Sequence, residues 1–282
     1  MNENKIKSHA KINLSLYVLG KLKSKLHKIE SLISFIELHD EITIKKSNRK
    51  FHTIKFYGKF AKGITKNNTI SNLLKFLDSK KLLKEKKYSL FIKKNIPQKA
   101  GLGGGSMNAS SIIKLFISKK ILNFSKKDLV KLTNQIGSDV KLGLDNKNKI
   151  LYSNGNLSIS AKKKTLFVII IKPNFGCSTR EIYKSVKKYS PKKIIKSKKN
   201  YFTLINLFKL QNDLENVVFR KYPNLKKVKL YMESLPNICF VRMTGSGSSI
   251  VGYFLSKNST INAAKLFKKK YKNYWCITSK TI

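Results

Sequence analysis

Acidic side chains are scarce in this chain: 14 Asp and Glu stand against 60 Lys and Arg, a formal net charge of +46 over 282 residues. A surplus of that size ordinarily points to nucleic acid or an anionic membrane. Arginine is scarcer still, limited to Arg49, Arg180, Arg220 and Arg242, and base-reading sites depend on a planar bidentate fork that lysine lacks. The lysines recur along nearly the whole chain among Asn and Ile, without a single basic stripe or an RNP-type aromatic motif. Compositional drift accounts for that pattern, and no specific nucleic-acid partner is expected. Such a surface would still draw polyanions and bind RNA weakly, with steep salt dependence.

Cysteine is limited to Cys177, Cys239 and Cys276, far apart, with no CxxC pair and no His at ligand spacing. That argues against zinc and leaves core or surface thiols, so no metal ligands are assigned. The longest apolar run, residues 166–171, is far short of a membrane span, and residues 1–7 are polar. No membrane partner is expected, and a reducing cytoplasm is the expected location; oligomeric state is not readable.

What is present can fold, since 41% of the residues are hydrophobic and this length buries one large core or two modest ones. Ala10, Ile12, Leu14, Leu16 and Val18 alternate with Lys11, Asn13, Ser15 and Tyr17, the period of a half-buried strand that puts Lys11 and Asn13 on one face. Further strands are expected at 32–38, 41–45, 53–57 and 88–93, with a helix over 69–83. A polar junction at 160–164 divides the chain into domains 1–160 and 161–282. Beyond it come a strand at 166–172, a helix from Thr179, a lysine-rich solvated loop over 184–200, and helices at 204–207, 213–221 and 225–234. Strands at 238–243 and 250–255 flank a Gly245-Ser246-Gly247 turn, and a helix through 263–269 and a strand at 275–277 close the chain.

The strongest local signal is Pro97-Gln98-Lys99-Ala100-Gly101-Leu102-Gly103-Gly104-Gly105-Ser106-Met107, set after a strand and directly before an amphipathic helix. Glycine lets backbone N–H groups approach a ligand, and a helix start presents free donors and a positive dipole end. A flexible linker or tight turn is the alternative. Neither a Walker G-x-x-x-x-G-K-[ST] nor a Rossmann G-x-G-x-x-G pattern is present. Ser125 and Asp128 have the spacing of a capping box, starting a helix that ends near Gly137 and leaves Asp139 just past it.

Three ordered segments, Ser8 to Leu14, the glycine loop, and Met243-Thr244-Gly245-Ser246-Gly247-Ser248-Ser249, resemble the motifs of the GHMP kinases. Ile136-Gly137-Ser138-Asp139-Val140 and Asn212-Asp213-Leu214-Glu215 look like further segments of that family. The resemblance is strongest to the branch acting on the 2-hydroxyl of a cytidine-diphosphate-linked methylerythritol in non-mevalonate isoprenoid synthesis. It implies an α+β, two-domain GHMP kinase fold: an N-terminal half like domain 2 of ribosomal protein S5, a ferredoxin-like C-terminal half, and the active site between them. It also implies ATP as phosphoryl donor, with Mg2+, and a small-molecule acceptor.

Residue by residue, the resemblance makes Asp139 the general base toward the acceptor hydroxyl and Lys11 its neighbouring cation, which stabilises the alkoxide as it forms. A surface carboxylate satisfying the helix end, and a solvated strand lysine, are the plain alternatives. Asn13 is implied to bond substrate, or else to satisfy a loop. His27 is implied to lie against the cytosine ring, or else to be structural. Ser106 would cap the helix and could approach Mg2+ and phosphate oxygens. Gly245, Ser246 and Gly247 would line the cleft against the phosphate loop, or form only a hairpin, and capping suffices to explain Asn212-Asp213. Leu26, Ala100, Met107, Lys141 and Asn156 depart from the family pattern, which bears on efficiency and nucleotide grip more than on reaction type. The rival readings are another GHMP kinase of the mevalonate, homoserine or galactose class, and a basic RNA-binding protein on the S5-like fold.

Overall fold

The alternation around Ala10 belongs to a strand of 18 residues, β1 (Asn4–Lys21), in a computed structural model that describes residues 3–22, 26–160, 165–191, 194 and 201–282. It pairs with β2 (His27–Ser47). The two strands expected at 32–38 and 41–45 are therefore one, and period two runs straight through the polar His39 and Asp40: Leu38, Asp40, Ile42 and Ile44 are all buried.

Two compact units form. The first comprises Met1–Lys11, Leu38–Gln98 and Gly103–Asn146. In it β3 (Thr53–Tyr57) runs parallel to β4 (Lys87–Lys93), which pairs antiparallel with β2 from Glu41 to Ser47. Helices α1 (Thr69–Ser79), α2 (Gly104–Ser118) and α3 (Lys126–Ile136) follow, then a 3-10 turn at Val140–Leu144. Ile42, Ile44, Leu90 and Ile92 pack with Leu73, Leu77, Ile112 and Phe116 in one core. A capping box of Asn68 and Ser71 starts α1, and left-handed backbone at Lys81 follows its end before the expected Leu83. The Ser125 cap of α3 forms as the sequence implies, its Oγ accepting from Asp128 N at 3.1 Å.

On this unit's surface, Tyr88 N donates to His52 Nδ1 (3.0 Å), so Nε2 carries the proton that meets Asp78 (3.2 Å), while Lys87 donates to Asp78 at 2.8 Å. Partial burial pushes the Asp78 carboxyl up, but the Lys87 and His52 hydrogen bonds outweigh it and hold the pKa below its ordinary value. A lowered carboxylate pKa stabilises the fold above the unfolded value of about 4, and the gain fades as pH falls through the folded value. Asp78→Asn is expected to cost no more than about 1 kcal/mol at pH 7, with the gap in melting temperature to the unaltered chain narrowing as pH falls below about 4. A gap that stays constant with pH would remove this linkage.

The second unit comprises Ile12–Glu37, Lys99–Leu102 and Lys147–Ile282. Here β2 pairs from Ser31 to Ile33 with β5 (Asn148–Leu151), which pairs with β6 (Leu157–Ser160). Neither short strand is expected from the sequence. Each has only four residues, and Asn148 and Lys149 are buried where the pattern reads as polar. A four-stranded antiparallel sheet holds β7 (Phe167–Lys172), β8 (Phe240–Met243), β9 (Ile250–Phe254) and β10 (Trp275–Lys280), in the order β10-β7-β9-β8. Helices α4 (Thr179–Lys184), α5 (Leu204–Phe208), α6 (Leu214–Lys221), α7 (Pro223–Glu233) and α8 (Lys257–Lys270) complete it. Ile169, Ile171, Val228, Met232, Phe254 and Phe267 share its core.

The expected junction at 160–164 lies outside the described residues beyond Ser160, as do 192–193 and 195–200 of the solvated loop expected at 184–200. Within that loop, Val186 and Ile194 are buried, and Ile194 N donates to Glu30 at 2.5 Å, so those two positions are held and not solvated. Among the described residues no helix is long and apolar enough to cross a membrane.

Candidate active site

In the first unit the glycine run becomes a bare helix start. Gly103 is the N-cap of α2, in left-handed backbone (φ 72°), and no side chain caps the helix. The helix first closes on itself where Met107 N meets Gly103 O at 2.9 Å. The amides of Gly104, Gly105 and Ser106 precede that bond and have no intrahelical acceptor, so they stand at the positive end of the dipole. The expectation that Ser106 caps the helix is wrong. It is the third helical residue, because Gly103 takes, without the steric cost of a side chain, the left-handed turn that starts the helix two residues earlier. Met107 faces inward, almost wholly buried, and its Sδ is 2.9 Å from where a Cβ on Gly143 would sit. Gln98 anchors the approach, donating to the carbonyls of Phe60 and Lys62 at 2.9 Å each.

Lys11 lies along this helix start. A Cβ on Gly103 would come within 2.8 Å of Lys11 Cγ and 3.1 Å of its Cε, so the missing side chain makes room for the lysine stem. The Lys11 Nζ ends 3.5 Å from Asp139 Oδ2, with the lysine side chain 6% exposed and the aspartate 37%. Asp139 precedes the 3-10 turn, where Val140 N returns to Gly137 O at 3.0 Å and Leu142 N to Asp139 O at 3.1 Å. Lys141 adds a second cation. Burial lowers its pKa and the charge of Asp139 opposes that shift.

In the second unit Lys99–Leu102 meets the Gly245-Ser246-Gly247 turn. Ser248 N and Ser249 N donate to the Lys99 and Ala100 carbonyls at 3.4 and 3.3 Å, and Thr244 Oγ1 donates to Gly101 O at 3.1 Å. A Cβ on Gly101 would fall 2.0 Å from Thr244 O, so only glycine permits this contact. Leu102 is buried. The turn is thus more than a hairpin. Asn13 N donates to Thr244 Oγ1 (3.0 Å) and Asn13 Nδ2 to Ser31 Oγ (2.8 Å), while Ser246 Oγ pairs with Thr179 Oγ1 at 2.8 Å. His27 lies 5.0 Å, ring to ring, from Tyr183. Partial burial, with Lys21 nearby, lowers its pKa and favours the neutral imidazole.

A helix cap suffices to explain Asn212-Asp213 in the sequence, and the fold asks more of these residues. Asn212 Nδ2 donates to the Met243 and Gly245 carbonyls at 2.8 Å each, while Glu215 accepts from Met243 N at 2.7 Å. Arg242 sends its guanidinium to the carbonyls of Leu14 and Leu210, at 2.5 Å each. The one sequence signal for Arg242 is its rarity in a chain whose cations are nearly all lysine.

Comparison with known proteins fits this geometry. The family model for the GHMP kinases N terminal domain matches residues 68–152, and that for GHMP kinases C terminal matches 201–273. The chain belongs to the GHMP kinases. A relative from Pelagibacter ubique, named 4-diphosphocytidyl-2-C-methyl-D-erythritol kinase, is 54% identical over 100% of both chains. One of the same name from Clostridium botulinum is 31% identical over 94% of this chain and 96% of its own. Among solved structures, a 4-(cytidine 5'-diphospho)-2C-methyl-D-erythritol kinase superposes with a TM-score of 0.78, at 22% identity over 98% of this GHMP kinase and 99% of that chain. The L. major mevalonate kinase complexed with R-mevalonate gives 0.69, at 14% identity over 99% and 95%. At these identities the structural likeness is one of fold, and it agrees with the two-domain α+β GHMP architecture expected from the motifs.

Proposed function

We propose that this GHMP kinase transfers the γ-phosphoryl group of ATP to the 2-hydroxyl of 4-diphosphocytidyl-2-C-methyl-D-erythritol. The observation that carries the chemistry is the Lys11–Asp139 pair, whose lysine stem rests in the space left by Gly103 at the start of α2. The choice of acceptor is supported by the 54% identity, end to end, with a kinase of that name.

The donor set fits a nucleotide's phosphate tail, because an uncapped helix start offers amides and glycines leave room for oxygens. Residues Pro97 to Met107 form the nucleotide loop. Asp139 takes the proton of the acceptor hydroxyl, that oxygen bonds the γ-phosphorus, and the bond from the γ-phosphorus to the bridging oxygen breaks to release ADP. Lys11 stabilises charge on the attacking oxygen. General-base help of this kind is worth about 10²- to 10⁴-fold, and positioning and charge stabilisation carry most of the remainder. Among the described residues no three His, Cys, Asp or Glu side chains gather into a metal site. We therefore read Mg2+ as arriving on the nucleotide, with the Ser106 hydroxyl as its candidate protein ligand and neutralisation of phosphate charge as its contribution.

Asn13 and the Gly245-Ser246-Gly247 turn are assigned to substrate, and neutral His27 to the cytosine ring. The three free cysteines suit a reducing cytoplasm. Burial lifts the Cys177 and Cys276 thiols to about 11 each, leaving both as inert core groups. The test is ADP formation with a panel of acceptors. Turnover with the cytidine-diphosphate sugar alcohol well above that with mevalonate, homoserine or galactose is expected, and preference for any of those three would overturn the assignment.

A further inference from the structure

The core face of β2 carries an aspartate where its neighbours Leu38, Ile42 and Ile44 are apolar. Asp40 is fully buried and saturated. Its Oδ1 accepts from Asn95 N and Ile96 N at 2.8 Å each, and its Oδ2 from Asn108 Nδ2 at 2.9 Å and from the ammonium of Lys94. Lys94 is itself only 5% exposed in its side chain. An isolated charge at that depth is prohibitively costly, and a buried pair rarely stabilises a fold more than an apolar replacement would. Fold stability alone therefore gives a weak reason for this pair.

Its placement gives a better one. Asn95 and Ile96 enter the nucleotide loop and Asn108 lies in the first turns of the helix that leaves it, so one carboxylate ties down both shoulders of the loop. The pair is also oriented. A Cβ on Gly104 would sit 3.3 Å from Lys94 Nζ, which puts the ammonium next to the first residue of α2.

We propose that Asp40 is a positioning residue for nucleotide binding: it fixes the loop's two shoulders and holds the Lys94 ammonium beneath the helix start, adding positive potential where phosphates dock. This rests on the reading of that loop as the ATP site.

The test compares the unaltered enzyme with Asp40→Asn and with the double variant Asp40→Asn/Lys94→Met. The single variant strands a buried cation against an amide and is expected to lose thermal stability, and the loosening of the loop's two shoulders is expected to raise KM for ATP even though the ammonium is less compensated. The double variant removes both charges but keeps an oxygen for the Asn95 and Ile96 amides, so its stability is expected to recover. Without the ammonium, its KM for ATP is expected to stay roughly tenfold above that of the unaltered enzyme, the scale of a charge at a helix terminus, with KM for the acceptor unchanged. A double variant that folds and binds ATP normally would overturn the proposal and leave the pair as a structural strut. Failure of the unaltered enzyme to bind ATP by calorimetry would instead sink the reading of the loop, so the two failures are distinguishable.

Discussion

Asp139→Asn is expected to lower turnover by at least about a hundredfold while ATP affinity stays the same or tightens. Asparagine keeps the shape at the start of the 3-10 turn, where the backbone bonds of Gly137, Asp139, Val140 and Leu142 do not involve the side chain. What it loses is the proposed proton acceptor and the negative partner 3.5 Å from Lys11 Nζ. The ammonium then lies beside the uncapped start of α2 with its charge less compensated, which favours phosphate if it changes anything. A variant that merely misfolded would lose nucleotide binding together with turnover. The informative measurements are therefore steady-state turnover and ATP calorimetry on the same preparation. Near-normal turnover would remove Asp139 from the mechanism, and loss of both would recast it as a structural residue.

The parts of this site that lie along the chain are legible in the amino-acid sequence. Alternation places Lys11 on a strand, glycines before an apolar repeat announce a loop and helix, and Ser125 with Asp128 marks the helix that delivers Asp139. The parts that depend on meeting across the fold are not legible there. Nothing local says that Gly103 lacks a side chain because the Lys11 stem occupies that volume. Nor does anything local say that Gly101 is glycine because Thr244 O lies where a Cβ would be. Ser106 misleads because serine is the common cap, whereas here the left-handed Gly103 fixes the start and leaves the donors free. Asp40 leaves a faint trace, one acidic residue at a core position of an alternating strand. Its meaning needs Lys94, 54 residues away.

Gly103→Val separates these two demands on one residue and is expected to do the greater damage to ATP binding. Its backbone sits at φ 72°, a region that costs an ordinary L-residue about 1–2 kcal/mol and a β-branched one more. Its new Cβ would also press to 2.8 Å from Lys11 Cγ, so either the lysine leaves Asp139 or the helix start shifts. The first removes the cation from beside the helix start and the second misplaces the amides of Gly104 to Ser106, and an ATP affinity loss of at least about tenfold is expected, equivalent to about 1.4 kcal/mol or more. Turnover is expected to fall further, because the cation is displaced from the proposed base. Gly63 provides the control: it too has positive φ (83°), yet nothing lies within 4 Å of its Cβ position. Gly63→Val therefore carries the backbone strain without the collision, and should lose stability while keeping ATP affinity. Equal affinity losses in the two variants would mean that strain alone is at work. Wild-type affinity in Gly103→Val would show that phosphate does not dock at this helix start.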